Sequence, residues 1–425
     1  MKKYKMGLFF AVLFFMIYIC IIFVFQNKIV ASSERKIDGI EEKGQTFEEL
    51  NIPEDVRVVG IGEASHGNCE FQTAKLQMLR KLVETGRCHS IAFEMSPGEA
   101  AEINDAIHSE DVDITELMGR TDYPLYDTQQ MIELVTWMRD YNRGKSVEES
   151  LMFYGVDMQG DVRDISYLIS FGEKHTDIFS EEETAILNSL LEADGEQAKE
   201  QRGFIENLVA KLSAKEEHEY KYAGIVANTV IQSIDAPSFS EEPNEYSNHR
   251  DNSMAKNLKS FSDLEEERGY SQIIITAHNG HTMKGFQDGY GEASAMGQRI
   301  NEIFDGSYFS VGTAYYNACV NIHVSGTYDD EYLRDDFNFC SEDILAYQAK
   351  YFNGGVYCLN FHELTEEDGE VYKRVHEKGF MGLVGEGYSA ISDIEKLDRV
   401  KMVQSDRFDA VMYYYDVTPI RVLNY

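Results

Sequence analysis

Four times along the chain a short apolar run stops at an acid or a histidine, and a polar loop follows. Val58-Val59-Gly60-Ile61-Gly62 ends at Glu63, with Ala64, Ser65, His66 and Gly67 behind it. Ser90-Ile91-Ala92-Phe93 ends at Glu94, and Met152-Phe153-Tyr154-Gly155-Val156 ends at Asp157. Ile273-Ile274-Ile275-Thr276-Ala277 ends at His278, with Asn279, Gly280 and His281 following. Short β-branched and aromatic runs bounded by turn residues predict buried strands. Helical periodicity takes over after the first, where Phe71, Met78, Leu79, Leu82 and Val83 share a face. After the second, Ser96-Pro97-Gly98-Glu99 offers a cap serine and an early proline. Strand, polar loop and helix in repetition predict an α/β fold, a central, mainly parallel sheet flanked by helices. Ligands bind at the carboxyl ends of such strands, so the four loops are expected to form one site.

The remaining pattern extends this core over residues 56–425. Asp127–Asn142 predicts a helix with Met131, Leu134, Val135 and Met138 on one face and Trp137, the only tryptophan, beside it. The aromatic and polar loop before it, Gly119–Tyr126, is expected to wall the pocket. From 161 to 268 the sequence turns to long, charged helix formers. Glu181–Leu191, Lys199–Lys215, His218–Ser233 and Arg250–Leu264 read as amphipathic helices, with a loop at Asp235–Asn248 that holds Pro237 and Pro243. This stretch is expected to be a helical insertion capping the strand carboxyl ends. Gly285–Gly297 is Gly-rich and expected to be mobile near the site. Further strands are expected at Tyr308–Thr313, Val320–Val324, Val356–Leu359 and Ala410–Tyr415.

The amino terminus reads differently. Lys2, Lys3 and Lys5 precede Gly7–Phe25, nineteen residues without a charge. That length approaches the roughly 20 apolar residues a membrane span needs. Residues 1–30 therefore predict a single-pass transmembrane helix, with the lysines cytoplasmic and the main domain extracytoplasmic at the cell membrane. Ala31-Ser32-Ser33 could serve as a cleavage site, so a long signal peptide is the alternative. Residues 31–55 read as a polar tether with a first helix around Glu48–Leu50.

Acids outnumber bases 74 to 39, giving a formal charge of −35. So acidic a surface excludes nucleic acid as a partner and tolerates a cationic small molecule. Six cysteines, one of them (Cys20) in the apolar span, form no close pairs and suggest neither a disulfide framework nor a zinc ribbon.

Glu63 and His66 stand three residues apart across a loop. A carboxylate beside an imidazole fixes its tautomer and raises its basicity, which suits a general base working on water. Glu94 and Asp157 would add carboxylates at neighbouring strand ends, and His278 and His281 further imidazoles. Asp157 also suits a cap for the helix after it, His278 a buried core histidine and His281 a loop residue. Histidines with carboxylates either activate water directly or hold a divalent metal that does so, with Glu63, His66, Glu94 and His278 or His281 as ligands. The spacing leaves both open. Ser65 lies in the first loop, but the loop is not the G-x-S-x-G nucleophile elbow.

Gly62-Glu63-Ala64-Ser65-His66-Gly67 with Glu70-Phe71, then Arg80-Lys81-Leu82-Val83-Glu84 and Ile91-Ala92-Phe93-Glu94, resembles the erythromycin esterase family. Trp137-Met138-Arg139-Asp140-Tyr141-Asn142, Gly155-Val156-Asp157, Arg250-Asp251-Asn252-Ser253-Met254-Ala255, Ala277-His278-Asn279-Gly280-His281 and Phe408-Asp409-Ala410 agree in order. The resemblance implies hydrolysis of a macrolide lactone, which inactivates the antibiotic. His66 matches the family's essential histidine, Glu63 and Glu94 its acids, and His278 and His281 its second histidine pair. Arg80 and Arg250 match family positions, where they would either hold the carboxylates in place or touch the substrate carbonyl oxygen; with Asp157 and Tyr126 they are expected on the substrate side. Metal is not generally held to be required. The expectation is thus a membrane-anchored, extracytoplasmic hydrolase of a small-molecule ester or lactone, without a cofactor. A metal-dependent hydrolase acting on peptides and a non-catalytic surface ligand-binding protein are the alternatives.

Overall fold

The computed structural model describes residues 33–423 and Met16, apart from residue 177 and the segments 287–292, 326–332, 390–391 and 393–395. The described residues form ten strands: β1 (Val58–Glu63), β2 (Cys88–Phe93), β3 (Met152–Gly155), β4 (Gln272–His278), β5 (Tyr308–His323), β6 (Arg334–Cys340), β7 (Val356–Asn360), β8 (Lys378–Gly382), β9 (Arg399–Val403) and β10 (Ala410–Val417). Eight make one sheet in the order β3-β2-β4-β1-β5-β10-β7, with β6 on β5, while β8 and β9 pair separately. From β3 to β10 every neighbour along that path is parallel; β7 and β6 are antiparallel additions. β1, β2, β3 and β4 are buried at every residue, as strands covered on both faces must be.

Side chains alternate between two cores. Val59, Ile61, Ile91, Phe93, Phe153 and Ile274 face one side. They meet Phe71, Met78 and Leu79 of α1 (Cys69–Val83), Ile103 of α2 (Pro97–Ile107), and Met131, Leu134 and Met138 of α3 (Gln129–Asn142). Val58, Ala92, Met152, Tyr154, Ile273 and Ile275 face the other side.

The insertion covers that second face, which corrects the expectation of a cap. Its helices are α4 (Asp161–Lys174), α5 (Glu181–Leu190), α6 (Gly195–Glu200), α7 (Arg202–Ser213), α8 (His218–Ile234) and α9 (Pro243–Glu267). Leu168, Val226, Val230, Leu258 and Phe261 press on the sheet from this layer. The start of α9 reaches the strand carboxyl ends, where Arg250 meets Glu94 and Asp157, and the start of α4 lies beside them, where Asp164 accepts the Gly98 N–H at 2.7 Å. Pro243 lies in the first turn of α9, so the loop expected to run to Asn248 is shorter and the helix longer.

The expected strands Tyr308–Thr313 and Val320–Val324 are parts of one strand, β5. It outruns β1, pairing with it only through Val311, and β6 takes over that edge from Asn317 onward. Residues expected to be a tether are packed, with Ile37, Ile40 and Leu50 buried and Gln45 bridged to Cys358. The short helix there is Ile40–Lys43, not 48–50. The middle of Gly285–Gly297 lies outside the described residues, and its end opens α10 (Met296–Ile303).

The expected transmembrane helix is not carried by the structure. Among the described residues no helix is long and apolar enough to cross a membrane. The 25-residue α9 has the length, but charged side chains recur throughout it. The stretch Gly7–Phe25 on which the expectation rested lies, Met16 apart, outside the described residues. The architecture is therefore α/β with a two-sided helical cover.

β1 and β4 are neighbours, in register from Val58↔Ile273 to Glu63↔His278. The chain leaves β1 for α1 on one face and leaves β4 for α10 on the other. Connections that part to opposite faces open a crevice between adjacent strand ends.

Phe261→Ala empties the seat of a ring stacked 4.4 Å from Tyr154 across the second core. It is expected to lower the unfolding free energy by about 3–5 kcal/mol in urea titrations. A loss below about 1 kcal/mol would contradict the insertion's place as a packed layer of the sheet.

Candidate active site

Glu63 is the last residue of β1, and its carboxylate is buried. One oxygen lies 2.8 Å from His66 Nδ1 and the other 2.9 Å from Lys75 Nζ. Lys75 is on the inward face of α1, 2% exposed, with its ammonium over the rings of Phe93 and Tyr126 at 5.5 and 5.8 Å. The loop between is tightly seated. A Cβ at Gly67 would collide with the backbone carbonyl of Asn321, so only glycine lets β5 come so close. Asn68 binds the carbonyls of Cys319 and Thr418 at 2.8 and 3.0 Å, and it accepts the Ser65 hydroxyl. Ser65 is wholly buried in this bond.

A second group of charges stands at the ends of β2, β3 and β4. Glu94 Oε1 accepts from Arg250 Nη2 at 2.7 Å and lies 3.3 Å from His281 Nε2, and Oε2 accepts the His278 backbone N–H at 3.0 Å. Arg250, two helical turns inside α9, also grips Asp157 through Nε and Nη2, at 3.0 and 2.6 Å. His281 Nδ1 lies 2.7 Å from Asp251, whose other oxygen accepts the Met296 N–H at 2.7 Å. The Tyr126 hydroxyl donates to the Glu94 carbonyl at 2.9 Å.

His278 joins the two groups, its ring centroid 5.1 Å from that of His66. Both of its nitrogens are engaged. Nδ1 accepts the Gly280 N–H at 3.3 Å, and Nε2 lies 3.1 Å from the Val384 carbonyl. Val384 belongs to a strap that crosses the end of β1, its N–H donating to the Ala64 carbonyl at 2.8 Å. Two residues on, Glu386 pairs with Arg334 of β6.

Of the nine expected site residues, eight converge here: Glu63, His66, Glu94, Tyr126, Asp157, Arg250, His278 and His281. Arg80 does not. It lies on the outer side of α1, stacked 5.3 Å from the Trp137 ring in a groove of about 550 Å³ between α1 and α3.

The erythromycin esterase family model matches residues 83–417, most of the chain. The chain belongs to the erythromycin esterase family. An erythromycin esterase type II of Escherichia coli is 24% identical over 321 residues, 66% of this chain and 74% of that one. Among solved structures, a succinoglycan biosynthesis protein superposes with a TM-score of 0.71 at 18% identity, covering 94% of this chain and 99% of the other. A histidine-to-asparagine mutant of the erythromycin esterase EreC, in its open conformation, gives 0.60 at 16% identity over 86% and 91%. At these identities the structural likenesses establish the fold.

For an esterase-family hydrolase of esters or lactones, the charge states are informative. Burial would raise Glu63, but the Lys75 ammonium and His66 hold it down to about 2. Burial would lower His66, but its bond to Glu63, then the charges of Glu63, Glu94 and Glu386, lift it above its ordinary 6.5. His281, also opposed by burial, is lifted to about 10 by Asp251 and Glu94 and is an imidazolium at neutral pH. Burial and the neighbouring charges of His66 and His281 push His278 down to about 3, so it is neutral. Glu94, despite burial, is held well below the usual carboxylate range by His281 and Arg250.

The alternative metal set Glu63, His66, Glu94 and His278 does not fit a cation. Glu63 and Glu94 are already spent on Lys75, His66, Arg250 and His281, and neither nitrogen of His278 is open. Among the described residues no three His, Cys, Asp or Glu side chains are grouped to hold a metal.

Lys75, Asp251 and the Val384 strap were missed in the sequence. Lys75 had a signal: it occupies an inward position of the apolar face of α1, where lysine is rarely found unless paired.

The histidines set the pH dependence of stability. His281, raised from 6.5 to about 10, contributes stability that is full below pH 6.5 and is lost as pH climbs to about 10. His278, lowered to about 3, takes up a proton in the unfolded chain first, so stability falls as pH drops from 6.5 toward 3. Thermal midpoints followed by circular dichroism are expected to peak between these limbs. His281→Asn should flatten the alkaline limb; an unchanged alkaline limb would contradict the imidazolium assignment.

Proposed function

We propose that this hydrolase opens an ester or lactone of the macrolide kind with water activated by His66. The observation that carries the reading is the state of His66 Nε2. Nδ1 is held by Glu63, the ring is 11% exposed, and Nε2 has no hydrogen-bond partner among the described residues. An imidazole whose Nδ1–H is fixed by a carboxylate presents its Nε2 lone pair as a base. Nε2 takes a proton as the water oxygen bonds to the carbonyl carbon. The tetrahedral centre then expels the alkoxy oxygen, which receives that proton from the imidazolium. The C–O bond of the ester breaks, giving an acid and an alcohol, which in a lactone are the two ends of one ring-opened molecule.

The other groups serve this step without exchanging protons in it. Glu63, kept ionised by Lys75, stabilises the imidazolium that forms. His281 and Arg250 supply fixed positive charge at the adjoining strand ends, toward which the developing oxyanion is drawn. His278 stays neutral and ties the Val384 strap to the site. The erythromycin esterase relatives support a macrolide as the first substrate to test.

Mass spectrometry of erythromycin incubated with the protein in ¹⁸O-water is expected to show a product heavier by one labelled water. His66→Ala should lower kcat/KM by about 10²–10⁴-fold, the usual share of a general base. The profile of kcat/KM against pH should fall on the acid side through a pKa above 6.5, because the neutral imidazole is the active form. Full turnover by His66→Ala would contradict the mechanism.

A further inference from the structure

Phe239 stands 59% exposed on the connection between α8 and α9. It is nevertheless held in place. Pro237 precedes it, and the Ser238 carbonyl accepts the N–H groups of Glu241 and Glu242 at 3.2 and 2.8 Å, closing a turn around the ring. The ring meets Tyr246 edge-on, with centroids 5.4 Å apart at 75°. The Tyr246 hydroxyl accepts from Gln159 Nε2 at 2.7 Å, and the Gln159 backbone N–H donates to Asp157 Oδ1 at 3.2 Å. Tyr246 also precedes Arg250 by four residues on α9, so the two share a face about 6 Å apart along the axis. The aromatic pair is thus tied by two hydrogen bonds, and by one turn of helix, to the ion pair that holds Glu94.

An exposed aromatic ring on a fixed turn, linked through Tyr246 and Gln159 to Asp157 at the strand ends, offers apolar area at little cost in side-chain entropy. Glu241, Glu242 and Glu245 are exposed on the same stretch, so this rim repels anions and receives neutral or cationic molecules. We propose that Phe239 and Tyr246 form the platform on which the apolar body of the substrate lies while its carbonyl reaches His66. The substrate class is a large, neutral or cationic ester or lactone with an extended apolar face. The platform presupposes the ester hydrolysis proposed for His66 and adds the contact that selects among esters.

The test uses the full chain, erythromycin as the large ligand and p-nitrophenyl acetate as the small one. Phe239→Ala removes an exposed ring, and its thermal midpoint serves as the folding control. kcat/KM for erythromycin is expected to fall at least about tenfold further than kcat/KM for the small ester, through KM. In a His66→Ala background, where the ligand stays intact, Phe239→Ala should raise the Kd for erythromycin by a similar factor. Equal losses for both esters, or a Kd within about twofold, would overturn the platform while leaving the hydrolase reading intact. A raised Kd with no turnover by the parent protein would support the platform and remove the hydrolase reading. Erythromycin neither bound nor cleaved would overturn the proposal.

Discussion

The buried carboxylate of Glu63 is the constraint around which the site is built. An ion taken from water into a protein interior costs several kcal/mol, and breaking such a pair by removing one partner generally costs about 3–5 kcal/mol. Glu63 is kept ionised because Lys75 and His66 each contact one of its oxygens. Lys75 in turn is tolerated inside α1 because Glu63 and two aromatic faces receive it. Neither charge would survive in the core alone.

The same logic extends across the crevice. Glu63, Glu94, Asp157 and Asp251 supply four carboxylates, while Lys75, Arg250 and the His281 imidazolium supply three cations. One negative charge is left over in this count, and His66 is lifted toward protonation by its bond to Glu63 and by the charges of Glu63, Glu94 and Glu386. That imbalance suits the base proposed for the reaction, which takes a proton and returns it. The sheet topology makes the arrangement available: β1 and β4 end side by side while their connections leave on opposite faces, so charges from β1, β2, β3 and β4 and from the start of α9 meet in one place.

Much of this was legible in the chain. The four strands that end in Glu63, Glu94, Asp157 and His278 announce themselves because parallel strands buried on both faces are continuously apolar. Asp157 turned out to be the partner of Arg250 as well as an acceptor for the Gln159 N–H. β6, β8 and β9 were not legible: they are short, partly exposed and interrupted by charges such as Asp335, Lys378 and Lys401, so no period of two stands out. The insertion's amphipathic helices were visible, but a helix stripe does not say whether it meets a sheet face or a sheet end. Arg80 shows the limit of motif matching. Its neighbours in sequence line the core, yet its own position points outward to Trp137. Asp251 lay beside Arg250 in a quoted motif but acquires meaning only when β4 brings His281 to it.

The most direct test of this account is the titration of the His66 ring by ¹⁵N–¹H NMR of histidine-labelled protein, with and without Glu63→Gln. The account predicts a neutral form protonated at Nδ1 and a pKa above 6.5 that falls when Glu63 loses its charge. A ring protonated at Nε2 in its neutral form, or a pKa indifferent to Glu63, would contradict it.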